Sequence, residues 1–219
     1  MQIKIAARES NLSKVQVEEI YHELLALGAD VTFTKTFVKT TGDLDQKTSL
    51  ADMDKTNFFT KEVDELVLSG NSDVGIHAAK DLPEPLPKGL EVFAITKGKD
   101  PRDSLILREE ETLQSLGENP RVGTSSKRRE KMIKDLINGA LLVDIRGTIE
   151  KRLQLLEDGA VDALVIAEVA LIRLNLTHLN RVFLEGETAA YQGQIAVVGK
   201  EKNVELKRVF KGLNEQKGL

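Results

Sequence analysis

The chain has 219 residues, of which 41% are hydrophobic and 30% are charged, and its formal net charge at pH 7 is −4. These proportions are typical of a soluble globular protein with one large or two small domains, and they exclude a fibrous or disordered chain. The absence of cysteine excludes disulfides, thiolate metal ligands and any cofactor attached through sulfur.

Composition also argues against three classes of partner. A net negative charge with 4% aromatic residues and no tryptophan disfavours nucleic acid. The longest apolar run, Ala163–Ala167, is too short to span a membrane, and no hydrophobic signal region is present, so we expect a cytoplasmic protein. The histidines His22, His77 and His178 are not spaced as metal ligands, and His77 is expected to be a hydrogen-bonded core residue.

Strands and helices alternate along the first 100 residues. Strands are predicted at Gln2–Ala6, Val31–Val38, Leu90–Ile95 and in the apolar run that begins at Val74; helices are predicted at Asn11–Leu27 and Phe58–Leu68. The polar segment Leu44–Asn57 lacks periodicity and predicts a long loop.

The turn-rich segment Lys97–Asp103 predicts a hinge between domains, and beyond it the pattern restarts. The predicted strands are Arg121–Gly123, Leu141–Ile145, Ala163–Ala167 and Gln194–Val198, and the predicted helices are Lys127–Ile137, Ile149–Glu157, Glu168–Arg173 and Val204–Leu213. The segments Leu66–Leu82 and Leu155–Leu171 share a helix end, a glycine, an aspartate and an apolar strand. The chain therefore predicts two similar α/β halves.

The segment Val74–Pro87 is the strongest candidate for a functional site. Its apolar run predicts a buried strand of a parallel sheet, which puts Lys80 and Asp81 near the carboxyl end of that strand. Open α/β sheets bind ligands at this edge. The alternative is an exposed ion pair at a strand end.

The internal similarity helps to choose between these alternatives. When Asp73 is superposed on Asp162, the second half has Val169 and Ala170 where the first has lysine and aspartate. The fold therefore does not require the two charges, and a role in binding or chemistry is favoured.

Three loops that carry arginine and a hydroxyl group lead into predicted helices: Arg8–Ser10, Thr124–Arg129 and Arg146–Thr148. Cations are unfavourable at a helix N-terminus, because the free N–H groups already carry partial positive charge. A bound anion would remove this conflict, although any one loop could instead be a solvated basic face. No GxxxxGK phosphate loop is present. We therefore expect a polyanion, preferably a polycarboxylate, between two lobes.

The chain resembles porphobilinogen deaminase, also called hydroxymethylbilane synthase, the transferase of haem biosynthesis that condenses four porphobilinogens into a linear tetrapyrrole. The motifs that carry the resemblance occur in family order: IAARESNLSKVQ, TTGD, FFTKE, HAAKDLP, DPRD, VGTSSKRR, DIRGTIEKRL and YQGQIAV. The resemblance implies an α/β fold like that of type II periplasmic binding proteins. Residues 1–98 and 188–219 would form a discontinuous domain 1, and residues 99–187 an inserted domain 2.

The resemblance also implies roles for individual residues. Asp81 would be the catalytic carboxylate, which stabilises a cationic azafulvene and then accepts a proton. The residues implied in binding the carboxylates of substrate and growing chain are Arg8, Ser10, Lys80, Arg128, Arg129, Arg146, Arg152 and Arg173. Further candidates for binding substrate or cofactor are Gln16, Asp43, Thr124, Ser125, Ser126, Gly147 and Gln192. Arg152 and Arg173 are the weaker candidates among the arginines.

Two features depart from the family pattern. The sequence ADMDKTN stands where the family has a glycine- and lysine-rich loop. The family also has a third domain whose cysteine holds dipyrromethane, whereas about twenty residues, too few for a domain, follow Gly199 here. We therefore expect a short, monomeric enzyme that holds dipyrromethane non-covalently. The alternatives are a module that binds porphobilinogen or a linear tetrapyrrole without turnover, and a periplasmic-type solute-binding protein.

Overall fold

The computed structural model describes residues 1–45 and 56–214, which form two compact α/β units. The first unit comprises residues 1–45, 56–99 and 191–214, and the second comprises residues 100–190. Most of the loop predicted at Leu44–Asn57, including all but the last two residues of ADMDKTN, lies outside the described residues.

Each unit contains one five-stranded sheet with helices beside it. The strands are β1 (Gln2–Arg8), β2 (Thr32–Val38), β3 (Val74–Ala78), β4 (Leu90–Ile95), β5 (Asp103–Ile106), β6 (Arg121–Gly123), β7 (Leu141–Val143), β8 (Ala163–Ala167), β9 (Arg181–Leu184) and β10 (Ile195–Lys200). The helices are α1 (Asn11–Ala26), α2 (Thr41–Leu44), α3 (Lys61–Ser69), α4 (Lys127–Leu136), α5 (Ile149–Glu157), α6 (Glu168–Arg173) and α7 (Val204–Phe210). None of these helices is long and apolar enough to cross a membrane.

The two sheets have the same topology. Their strand orders are β2-β1-β3-β10-β4 and β7-β6-β8-β5-β9. In each sheet four strands run in the same direction, while β10 and β5 run antiparallel to both of their neighbours. The two predicted halves are thus present. The strand β3 is buried and pairs in parallel with β1, but its sheet is mixed and not parallel as predicted, because β10 pairs with β3 in the opposite direction.

Alternation along the strands builds the core of the first unit. Ile3 and Ile5 of β1 are almost fully buried and pack in one cluster with Val17, Ile20 and Leu24 of α1. Burial of each such side chain contributes roughly 2 kcal/mol relative to exposure. The helix begins at Asn11, as predicted, and ends at Ala26, one residue before the predicted end at Leu27.

Two strands were not predicted. β5 begins at Asp103, which the sequence suggested as the end of the hinge, and β9 falls in a segment for which no element was proposed. Each has only four residues, and turn-forming or charged residues flank both, so the apolar signal of each strand is too short to identify it. The strand predicted at Leu141–Ile145 ends two residues earlier, at Val143.

Equivalent aspartates join β1 to the start of β3 in the first sheet and β6 to the start of β8 in the second. The Asp73 carboxylate accepts a hydrogen bond from the backbone N–H of Lys4 (2.7 Å), and the Asp162 carboxylate accepts one from that of Arg121 (2.8 Å). This confirms the superposition of Asp73 on Asp162. At Asp162 a guanidinium group is added to this contact. The Arg121 side chain donates to both Asp162 oxygens and lowers the pKa of this carboxyl to about 2.

The ion pair between Asp162 and Arg121 predicts a pH-dependent loss of stability. Asp162→Asn should lower the free energy of unfolding by about 1 kcal/mol at pH 7, after allowance for solvent screening. Because the pKa of the folded state is below the ordinary 3.8, the carboxylate stabilises the protein above that value and ceases to do so as the pH falls to about 2. Urea denaturation should therefore show wild type and variant converging at low pH. Asp135→Asn, at an exposed position of α4, is the control, and a difference for Asp162→Asn that persists at pH 2 would contradict the account.

Candidate functional site

Asp81 ends a short 3₁₀ turn, Ala79–Asp81, that directly follows β3. Two backbone hydrogen bonds hold this turn: the Ala79 N–H donates to the Gln194 carbonyl (3.1 Å) and the Leu82 N–H to the Ala79 carbonyl (3.3 Å). The Asp81 side chain is half-buried and forms no hydrogen bond or ion pair with any other residue of the described ranges. Its carboxylate is therefore uncommitted within residues 1–45 and 56–214.

Arg8, in contrast, is bound to a carboxylate. It ends β1, and its Nε and Nη2 donate to the two oxygens of Asp43 while its guanidinium lies 4.7 Å from the centre of the Phe59 ring. Asp43 also accepts from the N–H (3.0 Å) and hydroxyl (2.8 Å) of Thr40. Burial raises the pKa of Asp43, but the bonds from Arg8 and Thr40 outweigh it, so the net pKa is lowered. Asp43 thus orients the guanidinium of Arg8.

Three more of the predicted binding residues lie in the first unit. The Ser10 hydroxyl caps α1, because its Oγ accepts from the backbone N–H of Ser13 (3.2 Å) and donates to the Ser13 hydroxyl (3.0 Å). Gln16 and Gln192 are both buried. Ser10 therefore has a structural role that the sequence did not indicate.

A buried carboxylate joins the two arginines at the start of α4. Asp103, the first residue of β5, is fully buried; its Oδ1 accepts from Nε (3.1 Å) and Nη2 (2.7 Å) of Arg129, and its Oδ2 accepts from Nη2 of Arg128 (2.6 Å). Burial raises the pKa of Asp103, but both guanidinium groups outweigh it and the net pKa is lowered. We call Asp103, Arg128 and Arg129 the arginine clamp.

The arginine clamp corrects one step of the sequence argument. The inference that Arg128 and Arg129 need an external anion at the helix N-terminus is wrong, because Asp103 meets part of their charge within the chain. Two guanidinium groups against one carboxylate still leave one excess positive charge. Arg128 also donates to the Glu187 carbonyl, so the guanidinium groups are already oriented, and their excess charge favours a nearby anion.

The loop between β6 and α4, which directly precedes Arg128 and Arg129 in the sequence, contains three hydroxyl groups that can donate hydrogen bonds. Thr124 is buried, and its hydroxyl has no hydrogen-bond partner among the described residues. Ser126 is the N-cap of α4, yet its side chain makes no capping hydrogen bond, so the helix N-terminus has no side-chain cap. Ser125 differs, because its hydroxyl bonds to both the N–H and the carbonyl of Ile145 and so ties this loop to the end of β7.

The other predicted arginines of the second unit lie at helix ends. Arg152 of α5 donates from Nε to the Gly147 carbonyl (3.0 Å), which fixes the loop that contains Arg146. Gly147 has φ +99°, a conformation that side-chain-bearing residues rarely adopt. Arg173 is buried at the end of α6. Among the described residues, no group of three or more histidine, aspartate and glutamate side chains could hold a metal ion.

Asp103 is a residue of the candidate site that the sequence argument does not identify. It belongs to the quoted motif DPRD, but the motif was assigned to a hinge because of its turn-forming residues. The sequence did contain one signal for it. The candidate site is rich in arginine, and the Asp103 carboxylate in this motif had no assigned role.

Comparison with known proteins identifies the family. The family model described as porphobilinogen deaminase, dipyromethane cofactor binding domain, matches residues 3–208. A probable porphobilinogen deaminase of Chlamydia pneumoniae is 39% identical over 208 residues, which are 95% of this chain and 88% of that protein. The chain belongs to the porphobilinogen deaminase family. The porphobilinogen deaminase of Caldicellulosiruptor saccharolyticus is 36% identical over 197 residues, covering 89% of this chain and 67% of that protein.

Solved structures with little sequence identity confirm the fold. An ancestral cationic amino acid solute binding protein superposes with a TM-score of 0.55 at 10% identity, covering 97% of this chain and 87% of that chain. A TRAP periplasmic solute binding protein from Desulfovibrio salexigens gives 0.54 at 15% identity, covering 98% and 72%. The predicted family and its fold of the type II periplasmic binding protein kind are thus confirmed.

The motif DPRD provides a matched pair of substitutions. Asp103→Asn should lower the free energy of unfolding by about 3 kcal/mol, because it leaves a buried guanidinium without its charge partner. Asp100→Asn removes a carboxylate that binds the half-exposed Arg102 and should cost less than about 1 kcal/mol. Urea denaturation at pH 7 compares the two variants, and equal losses would contradict a dominant role for the buried clamp.

Proposed function

We propose that this member of the family is a porphobilinogen deaminase in which Asp81 is the catalytic carboxylate. The observation that carries the assignment is the contrast between carboxylates: Asp43 and Asp103 are bound to arginine, whereas Asp81 has no partner among the described residues. An uncommitted, half-buried anion can respond to positive charge that develops on a substrate. The position of Asp81 at the carboxyl end of β3 agrees with this role.

In the proposed chemistry the Asp81 carboxylate acts in two steps, the loss of ammonia and the removal of a proton. When the C–N bond of the aminomethyl group breaks, the nitrogen leaves as ammonia and the remaining carbon belongs to a cationic azafulvene, whose charge Asp81 stabilises. The free α-carbon of a second pyrrole then forms the new C–C bond and loses its proton, which Asp81 accepts as general base. Four repetitions link four porphobilinogens, and addition of water to the last azafulvene releases the linear tetrapyrrole.

The arginine clamp is proposed to bind one carboxylate of the substrate or of the growing chain. Its excess positive charge, the unpartnered hydroxyl of Thr124 and the uncapped start of α4 all favour an anion. Arg8 on its Asp43 support would bind a second carboxylate. We propose the remaining candidate residues, Lys80, Arg146, Arg152 and Arg173, for the other carboxylates. In this scheme residues 1–98 and 188–219 form the catalytic domain, and residues 99–187 form the carboxylate-binding domain.

The same residues fit dipyrromethane, which also carries carboxylates on its pyrrole rings. The unsatisfied Thr124 hydroxyl and the arginine clamp would hold it, and since the sequence contains no cysteine, no thioether is involved. When bound, dipyrromethane supplies the pyrrole carbon to which the first substrate unit is added. The chain's own residues hold its carboxylates in place and keep Asp81 available.

The partners proposed for this chain are small molecules. The chain is proposed to act as a cytoplasmic monomer, without nucleic acid or membrane, in keeping with its net charge of −4. Binding of porphobilinogen or a linear tetrapyrrole without turnover is the competing function, and the following experiment separates it from catalysis.

Asp81→Asn should lower porphobilinogen turnover by several orders of magnitude while substrate still binds, because a transition-state charge contact is lost. Product is followed as porphyrin absorbance after acid oxidation, and folding by circular dichroism. Asp135→Asn is the control and should retain wild-type turnover. Wild-type activity in Asp81→Asn would refute the assigned role, and a wild type that binds substrate without forming product would establish the binding module instead.

Arg128→Ala should weaken the binding of polycarboxylate pyrroles about tenfold or more, since one charge-assisted contact is removed. Isothermal titration with porphobilinogen measures the effect. Arg208→Ala, at an exposed position of α7, is the control and should bind as wild type does. Unchanged affinity in Arg128→Ala would count against the arginine clamp as a carboxylate site.

A further inference from the structure

A second polar cluster lies inside the first unit, between α3 and β3. The side chains of Asp64 and His77 are only 3% and 2% exposed, and Nε2 of the imidazole lies 3.2 Å from Oδ1 of the carboxylate. The pair is close but not aligned, so that Nε2 and both carboxylate oxygens lack a hydrogen bond within the described part of the chain. His77 is buried as predicted, but the expectation that it is fully hydrogen-bonded is wrong at Nε2.

The backbone makes room for this imidazole. Because side chains alternate along a strand, Val74 and Ile76 of β3 join the core cluster that contains α1, while residues 75 and 77 face the other side. Residue 75 is glycine, and a Cβ there would lie 2.8 Å from Nε2 of His77 and 2.9 Å from the Val63 side chain. A side chain at position 75 would therefore push the imidazole away from Asp64.

The second unit builds the same place from apolar residues. With Asp73 superposed on Asp162, the counterparts of Asp64, Gly75 and His77 are a leucine, a leucine and an isoleucine: Leu153, Leu164 and Ile166. Leu164 and Ile166 are almost fully buried. A buried carboxylate facing an imidazole is usually no more stabilising than well-packed apolar residues of similar size. The fold therefore does not require this pair in the first unit.

We propose that Asp64 and His77 are positioning residues for Asp81, an inference that rests on the proposed catalytic role of Asp81. His77 is the last but one residue of β3, and the turn Ala79–Asp81 begins two residues later. A buried carboxylate 3.2 Å from an imidazole attracts it strongly in a medium of low dielectric constant, whereas apolar packing tolerates small displacements. The pair ties the end of β3 to α3 and so keeps the turn, and with it the Asp81 carboxylate, in one position.

The test exchanges the pair for its counterparts in the second unit. The double variant Asp64→Leu/His77→Ile should melt at the wild-type temperature or above, yet its kcat for porphobilinogen should fall about tenfold to a hundredfold with KM within about twofold. In an Asp81→Asn background the same exchange should lower kcat less than twofold, because the residue that it positions is already disabled. Wild-type kcat in the double variant, or an equal loss in both backgrounds, would overturn the proposal.

A second readout does not depend on turnover. Amide hydrogen exchange at Ala79 and Leu82, whose N–H groups hold the turn, should become at least about tenfold faster in the double variant, because the end of β3 opens more often. Unchanged exchange at both amides would overturn the proposal whatever the activity. A wild type that does not turn over porphobilinogen would instead contradict the proposed function, so the two failures are distinguishable.

Two further variants complete the design. Ser72→Val replaces another buried residue, whose hydroxyl is unpartnered among the described residues, by its counterpart Val161, and it should change neither kcat nor the exchange of the turn amides. If the double variant does not fold, Asp64→Asn keeps the shape of the side chain and removes its charge. Its kcat should fall about tenfold with unchanged circular dichroism, and wild-type kcat with wild-type exchange at the turn would overturn the proposal.

Discussion

The pairing of arginine with carboxylates of the same chain is the constraint on which the candidate site depends. A guanidinium group next to a helix N-terminus is repelled by the partial positive charge of the free N–H groups and would otherwise extend into solvent. Asp103 binds Arg128 and Arg129, and Asp43 binds Arg8, so these groups keep fixed directions. Because orientation is established before a ligand arrives, less conformational entropy is lost on binding.

The internal duplication shows where the chain departs from what its fold needs. Both sheets have the same topology, and their antiparallel strands β10 and β5 begin at equivalent positions. Ile195 of β10 pairs with Ala78, and Asp103 of β5 pairs with Ala167, the counterpart of Ala78. One unit has an aliphatic residue at this point and the other has the carboxylate of the arginine clamp. Three residues after Ala78 and Ala167 the charge is in the other unit: the first unit has Asp81 and the second has Ala170. Each unit thus has a carboxylate at a position where the other unit has an apolar residue.

Sequence patterns predicted the longer elements and the internal duplication, because hydrophobic periodicity is a local property that a window of ten or more residues reveals. The four-residue strands β5 and β9 were missed, because they are ordered by their partners in the sheet and not by local preference. Asp81 and the arginines were identified from motifs. The partners of those arginines were not, since Asp103 and Arg128 are far apart in sequence and meet only after folding.

The central claim is that the carboxylate of Asp81, which has no partner among the described residues, is the group that meets the developing cation. Its most direct test is ammonia release in a single turnover, measured by rapid quench with protein in excess over porphobilinogen. The account predicts that Asp81→Asn retains wild-type affinity for porphobilinogen but releases ammonia more slowly by several orders of magnitude. Release at the wild-type rate would contradict it.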